Sequence, residues 1–206
     1  MTLLSIEEIL PSTKLGVWEI DGNETSLLQK YPHLQKEIQR FSNDCRRNER
    51  LSVYALLYEM TGDDSLLIEH NADGKPQLNG YNISISHTKG RAAVLLSKDK
   101  TVGVDIEIRS DRVGKIAKRF IRPDEWTDDI DRQLLIWSAK ETVYKLFSEQ
   151  HLELFEMRTN NISKDKLTAE NVVACGKLTM ENLKCGLLVI VHYRIDGNYV
   201  LTWVVK

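Results

Sequence analysis

Within Thr101-Val-Gly-Val-Asp-Ile-Glu-Ile108 a single residue separates two carboxylates. The stretch is rich in β-branched residues, and side chains alternate across a strand. Val102, Val104, Ile106 and Ile108 therefore share one face, and Gly103, Asp105 and Glu107 the other. Asp105 and Glu107 would sit about 7 Å apart along the strand. Carboxylates that close repel unless a cation lies between them. Mg²⁺ suits such a pair, because it prefers oxygen ligands and keeps coordination positions for substrate phosphates. The same pattern, taken alone, is also the solvent-facing side of an amphipathic strand.

Further along, Trp137-Ser-Ala-Lys-Glu-Thr-Val-Tyr-Lys145 places Trp137, Glu141 and Lys145 on one stripe of a helix, four residues apart. Ile136, Val143, Leu146 and Phe147 point elsewhere and would seat that helix in a core. A third carboxylate and a lysine thus join the acidic strand. Upstream, Ser86 and His87 end the string Asn82-Ile-Ser-Ile-Ser-His87, close in sequence to the loop Gly74-Lys75-Pro76. A hydroxyl, an imidazole and an ammonium at loop edges supply the donors and positive charge that a phosphate needs.

Two long helical segments must position these groups. One spans about Leu34 to Met60 and stops at Gly62; the other spans about Asp128 to Phe147. Strands are expected at Leu15–Ile20, Asn82–His87, Ala92–Ser97, Thr101–Ile108, Leu187–Ile195 and Tyr199–Val205, the last two joined by the hairpin signal Asp196-Gly197-Asn198. A shorter helix is expected from about Asp111 to Ile121, ending before Pro123. This order favours an α+β fold over a doubly wound parallel sheet.

Net charge is −2 in 206 residues, so no overall field draws the chain to nucleic acid or an anionic membrane. A local basic run does exist: Arg109, Arg112, Lys115, Lys118, Arg119 and Arg122 interleave with Val113, Ile116, Ala117 and Phe120, which would face the core. Three cysteines without paired spacing read as free thiols in a reducing cytoplasm. No secretory signal and no membrane-length apolar run is visible.

VGVDIE followed by WSAKETVYK resembles the 4'-phosphopantetheinyl transferase superfamily, which carries a V-G-[IV]-D-[IV]-E strand and a [FW]-[SCT]-x-K-E-[AS]-x-x-K helix. Thr142 stands where that family has Ala or Ser. The GKP and N-I-S-x-S-H segments, and the chain length, look like the longer single-chain subfamily that activates nonribosomal peptide and polyketide synthases. The resemblance runs from Arg46 to Phe147 and fades beyond. It implies two similar halves, residues 1–100 and 101–206, each a long helix on a small antiparallel sheet, in a monomer with pseudo-twofold symmetry. It also implies transfer of the phosphopantetheine arm of coenzyme A to a serine of an apo acyl or peptidyl carrier protein, releasing 3',5'-ADP. By the resemblance, Asp105, Glu107 and Glu141 hold Mg²⁺ (or Mn²⁺). Lys145 and His87 contact phosphates, Ser86 and Arg50 lie near the 3'-phosphate, and Lys75 and Pro76 border the adenine. Glu141 is the expected base, directly or through water, and Lys140 is expected to pair with a carboxylate. Two other readings stand beside it: a degenerate member that binds without turnover, and a different Mg²⁺-dependent phosphotransferase.

Overall fold

The computed structural model describes residues 2–22, 24–164 and 172–206. The chain begins with β1 (Thr2–Leu10), β2 (Thr13–Glu19), α1 (Glu24–Lys30), α2 (Gln35–Ile38) and α3 (Asp44–Thr61). Next come β3 (Glu69–His70), β4 (Pro76–Gln77), β5 (Asn82–Thr88), β6 (Arg91–Ser97) and β7 (Val102–Ile108). After them follow α4 (Arg112–Ile116), α5 (Ile130–Leu146), β8 (Met157–Lys164), β9 (Val172–Asn182), β10 (Leu187–Asp196) and β11 (Tyr199–Val205). The fold is α+β. One antiparallel sheet has the order β1-β2-β6-β5 and the other β7-β11-β10-β9-β8, with β3 and β4 forming a separate ribbon.

Each sheet buries one face under a helix. Leu51, Tyr54 and Leu57 of α3 pack with Val94 and Leu96 of β6, and Leu135, Ala139 and Val143 of α5 pack with Met180, Val191 and Val204. The sheets then meet through their other faces, where Leu15 and Leu95 join Val104, Ile106 and Leu201.

Three expectations need correction. The helix from Leu34 to Met60 is two helices, because Asn43 takes an extended conformation and its side chain accepts from the Cys45 N–H, capping α3 afresh. Its stop is where the sequence places it, with Gly62 left-handed at φ 72°. The helix from Asp111 to Ile121 tightens to a 3₁₀ turn after Ile116, with Gly114 weakening the short α-helical part. Finally, the polar face of β7 is not open to solvent, since α5 lies across it. A Cβ at Gly103 would collide with the Thr142 carbonyl oxygen, so the glycine is what lets the helix rest on the strand.

β5 and β7 run side by side without a main-chain ladder. Hydroxyls of β5 serve the edge of β7 instead. Ser84 Oγ accepts from the Val104 N–H (2.9 Å) and Thr88 Oγ1 from the Ile108 N–H (3.4 Å).

Candidate active site

Ser86 is the third hydroxyl of that seam, and it donates to Asp105 Oδ1 at 2.8 Å. Covered by α5, Asp105 is only 3 % exposed, and it is fully engaged. Lys145 Nζ donates to the same Oδ1 at 2.8 Å and to the Val104 carbonyl at 2.9 Å, while Ser138 Oγ donates to Oδ2 at 2.8 Å. Ser138 in turn meets Thr202 Oγ1 (2.9 Å), which meets Thr142 Oγ1 (2.6 Å). A line of buried hydroxyls therefore runs from the carboxylate to the position at which this chain departs from the family pattern. Thr142 is accommodated because Thr202 gives its hydroxyl a partner.

Glu107 is held by the indole N–H of Trp137, which donates to Oε1 at 2.8 Å. The stripe read from the sequence is thus real: Trp137 reaches Glu107, Lys145 reaches Asp105, and Glu141 lies between them on the same face of α5. Burial, Asp105 and Glu141 push Glu107 up to about 7, against the pull of Trp137 and Lys145. Glu141 is also raised, by burial first and then by Asp105, with Lys145 opposing. Its carboxylate makes no side-chain hydrogen bond among the described residues.

These three carboxylates are the site's metal candidates. Among the described residues no three His, Cys, Asp or Glu side chains are gathered closely enough to hold a cation as they stand. The donor chemistry nonetheless fits Mg²⁺: all are hard oxygen donors, and burial together with repulsion from Asp105 raises Glu107 and Glu141, a crowding of negative charge that a divalent cation would neutralise.

A cleft of about 540 Å³ opens beside this cluster and is lined by Arg46, Glu49, Arg50, His70, Pro76 and His87. His87 and Arg50 therefore share one cavity. The Arg50 Nη2 donates to Tyr54 Oη (3.2 Å) and to the Ile68 carbonyl (3.1 Å), but its buried Nε has no partner among the described residues. Burial pushes the His87 imidazole down, as do Arg46 and Lys145, while Glu49 pulls it up. A smaller pocket of about 210 Å³ shares Gly74 and Pro76 with this cleft and adds Lys75, Tyr144 and Lys145, joining the loop to α5. A larger cavity, about 770 Å³, is also lined by Lys75 and Pro76, and none of the three cavities is lined by Asp105, Glu107 or Glu141.

Lys140 plays a different part. It is fully buried, and its Nζ donates to Glu125 Oε2 (2.9 Å) and to the carbonyls of Phe120 (2.7 Å) and Leu154 (3.1 Å). Glu125 also accepts from the Thr159 N–H. Pairing with a carboxylate, as expected from the sequence, turns Lys140 away from the cleft and into the core.

Sequence reasoning missed Ser138, Thr202, Arg46 as a partner of His87, and Glu49. Ser138 was within reach of the motif, since it stands one residue after Trp137. Thr202 could not be found without the register that sets it opposite Asp105.

No curated protein matches the chain. A model of the 4'-phosphopantetheinyl transferase superfamily matches residues 101–204, half of the 206 residues. The match contains Asp105, Glu107, Glu141 and Lys145, and it continues past Phe147, where the motif resemblance had seemed to stop. With the acidic strand, the helix that roofs it and the hairpin that follows all inside the matched segment, the chain belongs to the 4'-phosphopantetheinyl transferase superfamily.

Proposed function

We propose that the protein transfers the 4'-phosphopantetheine group of coenzyme A to a serine of an apo acyl or peptidyl carrier protein, releasing 3',5'-ADP, with Mg²⁺ as cofactor. The observation that carries this reading is the acidic cluster of Asp105, Glu107 and Glu141 beside Lys145, a lysine that lines a pocket sharing Gly74 and Pro76 with a cleft rich in cations. Asp105, Glu107 and Glu141 are the residues that would hold Mg²⁺, whose contribution is to offset charge on the pyrophosphate as the bond to the leaving group lengthens.

The protein's own groups have distinct tasks. His87, Arg50 and Lys145 supply donors and positive charge for the phosphates, and Lys75 with Pro76 borders the base. Ser86 and Ser138 hold the Asp105 carboxylate in one orientation, so that little reorganisation is left for the reaction. Glu141, raised and without a side-chain hydrogen bond among the described residues, would take the proton of the attacking serine, directly or through water. Because α3, β5, β7, α5 and the loop entering β4 of one chain supply all of these, a monomer acting in the cytoplasm suffices. The halves 1–100 and 101–206 remain our proposed division of the chain.

Incubation with coenzyme A and a panel of apo carriers, read by intact mass, tests the reading. The mass of one phosphopantetheine should be added to a carrier, EDTA should abolish the addition, and Mg²⁺ or Mn²⁺ should restore it. No addition to any carrier, or full activity in excess EDTA, would overturn it.

Carrier docking is assigned to the segment after β7. Arg112, Lys115, Lys118 and Arg119 are exposed, while Val113, Ala117 and Phe120 are buried, as their spacing predicts. Arg109 and Arg122 drop out of the expected basic face, since they are tied to Asp131 (2.5 Å) and Asp124 (3.0 Å). The remaining basic side chains would steer an acidic carrier. Arg112→Glu with Lys115→Glu is expected to raise KM for the carrier, less so as salt rises, with coenzyme A affinity within a few-fold. Unchanged carrier kinetics at low salt would move the docking surface elsewhere.

A further inference from the structure

The cation-rich cleft contains one carboxylate that no task above requires. Glu49 stands on α3, and its side chain is only 16 % exposed. Its Oε2 lies 3.0 Å from Arg46 Nη1 and 3.0 Å from His87 Nε2, and those two nitrogens are 2.9 Å apart. The three atoms form a closed triangle, with Oε1 accepting from the Cys45 thiol at 3.5 Å behind it. An ordinary Arg–Glu pair one turn apart on a helix projects into solvent. Here the arginine side chain is 61 % exposed and the acid is the inner member, with an imidazole from β5 as third partner. The carboxylate therefore faces the same cavity as Arg50 and His70.

A negative charge in an anion-binding cleft acts in two opposing ways. It fixes the directions of the arginine and the imidazole, which helps a phosphate that arrives later. Its charge also repels that phosphate. For an isosteric change to the uncharged amide, the first effect is largely kept and the second is lost.

We propose that Glu49 is a built-in counter-anion: it keeps Arg46 and His87 aimed into the cleft before phosphate arrives, and it limits how tightly coenzyme A and its bisphosphate product are held. The proposal rests on the reading of this cleft as the coenzyme A site. In turnover the limit matters most at the end. The leaving 3',5'-ADP keeps the phosphates that the cleft recognises, so product release gains from an internal competitor that returns to the cations as the product departs.

Calorimetric titration of the full chain with 3',5'-ADP, coenzyme A and unphosphorylated adenosine separates the possibilities. Glu49→Gln is expected to bind 3',5'-ADP about fivefold more tightly than wild type, the scale of one unit charge removed a few ångströms away at a solvent-facing site. The gain should shrink with salt and be absent for adenosine. Glu49→Asp, which keeps the charge, should stay near wild type. Glu49→Ala, which also removes the support, should tighten binding less than the amide and provides a second neutral variant. Wild-type binding that is unchanged or weakened in both neutral variants would overturn the counter-anion alone. Failure of wild type to bind either phosphorylated compound would overturn the coenzyme A reading, and this inference with it.

Discussion

Glu141→Gln is expected to lower turnover by at least about 100-fold, the usual scale of a lost general base. The amide keeps the shape of the side chain and one oxygen that can face a metal, but it cannot take a proton. Because the Glu141 carboxylate makes no side-chain hydrogen bond among the described residues, the substitution breaks none of their hydrogen bonds. Stability should hold or rise, as burial beside Asp105 already disfavours the charged form. Coenzyme A affinity should change only a few-fold. Single-turnover rates and calorimetry, measured on the same preparation, decide between the outcomes. Unchanged turnover would remove Glu141 from the proton transfer.

Asp105 is a poorer probe of the same chemistry. The strand pattern alone suggests that removing one of two clustered carboxylates would relieve repulsion and spare the fold. In the structure Asp105 accepts from Ser86, Ser138 and Lys145 beneath a helix, so an alanine leaves three donors without their partner. Loss of activity in Asp105→Ala would mix chemistry with disorder. The Glu141 variant avoids that confusion.

A second large effect is expected at Lys140, and it concerns stability. Lys140→Met leaves Glu125 charged and buried without its cation, which costs about 3–5 kcal/mol for pairs of this kind. Adding Glu125→Gln should recover part of that loss. The amide oxygen still accepts from the Thr159 N–H, and no unpaired charge remains to be desolvated. Denaturant unfolding of the two single variants and the double variant closes the cycle. A loss below about 1 kcal/mol in Lys140→Met would mean that the pair contributes little to holding α5 in place.

How far the sequence reached can be followed residue by residue. The stripe Trp137, Glu141, Lys145 was legible because helical spacing alone brings its members together, and the structure sets all three against β7. The buried state of β7 was not legible. Alternation reports which residues share a face, but whether a face meets water depends on Gly103 and on a helix roughly forty residues further along. β1 went unread because its side chains are mostly exposed or half-buried, which erases the period-two contrast. β8, with the string MRTNNISK, is too polar to announce itself and depends on β9 for its pairing. Glu49 was not singled out, because three residues after Arg46 on a helix it has the spacing of any surface pair, and only the approach of β5 gives it a third partner.

In concentrated solution, β proteins are vulnerable at strand borders, where unpaired amides invite a strand from another molecule. β5 and β7 each end a sheet, and with Ser84, Ser86 and Thr88 they stopper one another, leaving neither as a template. The other borders of the two larger sheets, β1 and β8, are both irregular: β1 shifts register between Leu3 and Ser5 and again between Glu8 and Leu10, and β8 between Thr159 and Asn161. An incoming strand would have to copy those bulges to pair along their length. Resistance to self-association and the bracing of Asp105 thus depend on one short row of hydroxyls, Ser84 and Thr88 covering edge amides and Ser86 holding the carboxylate between them.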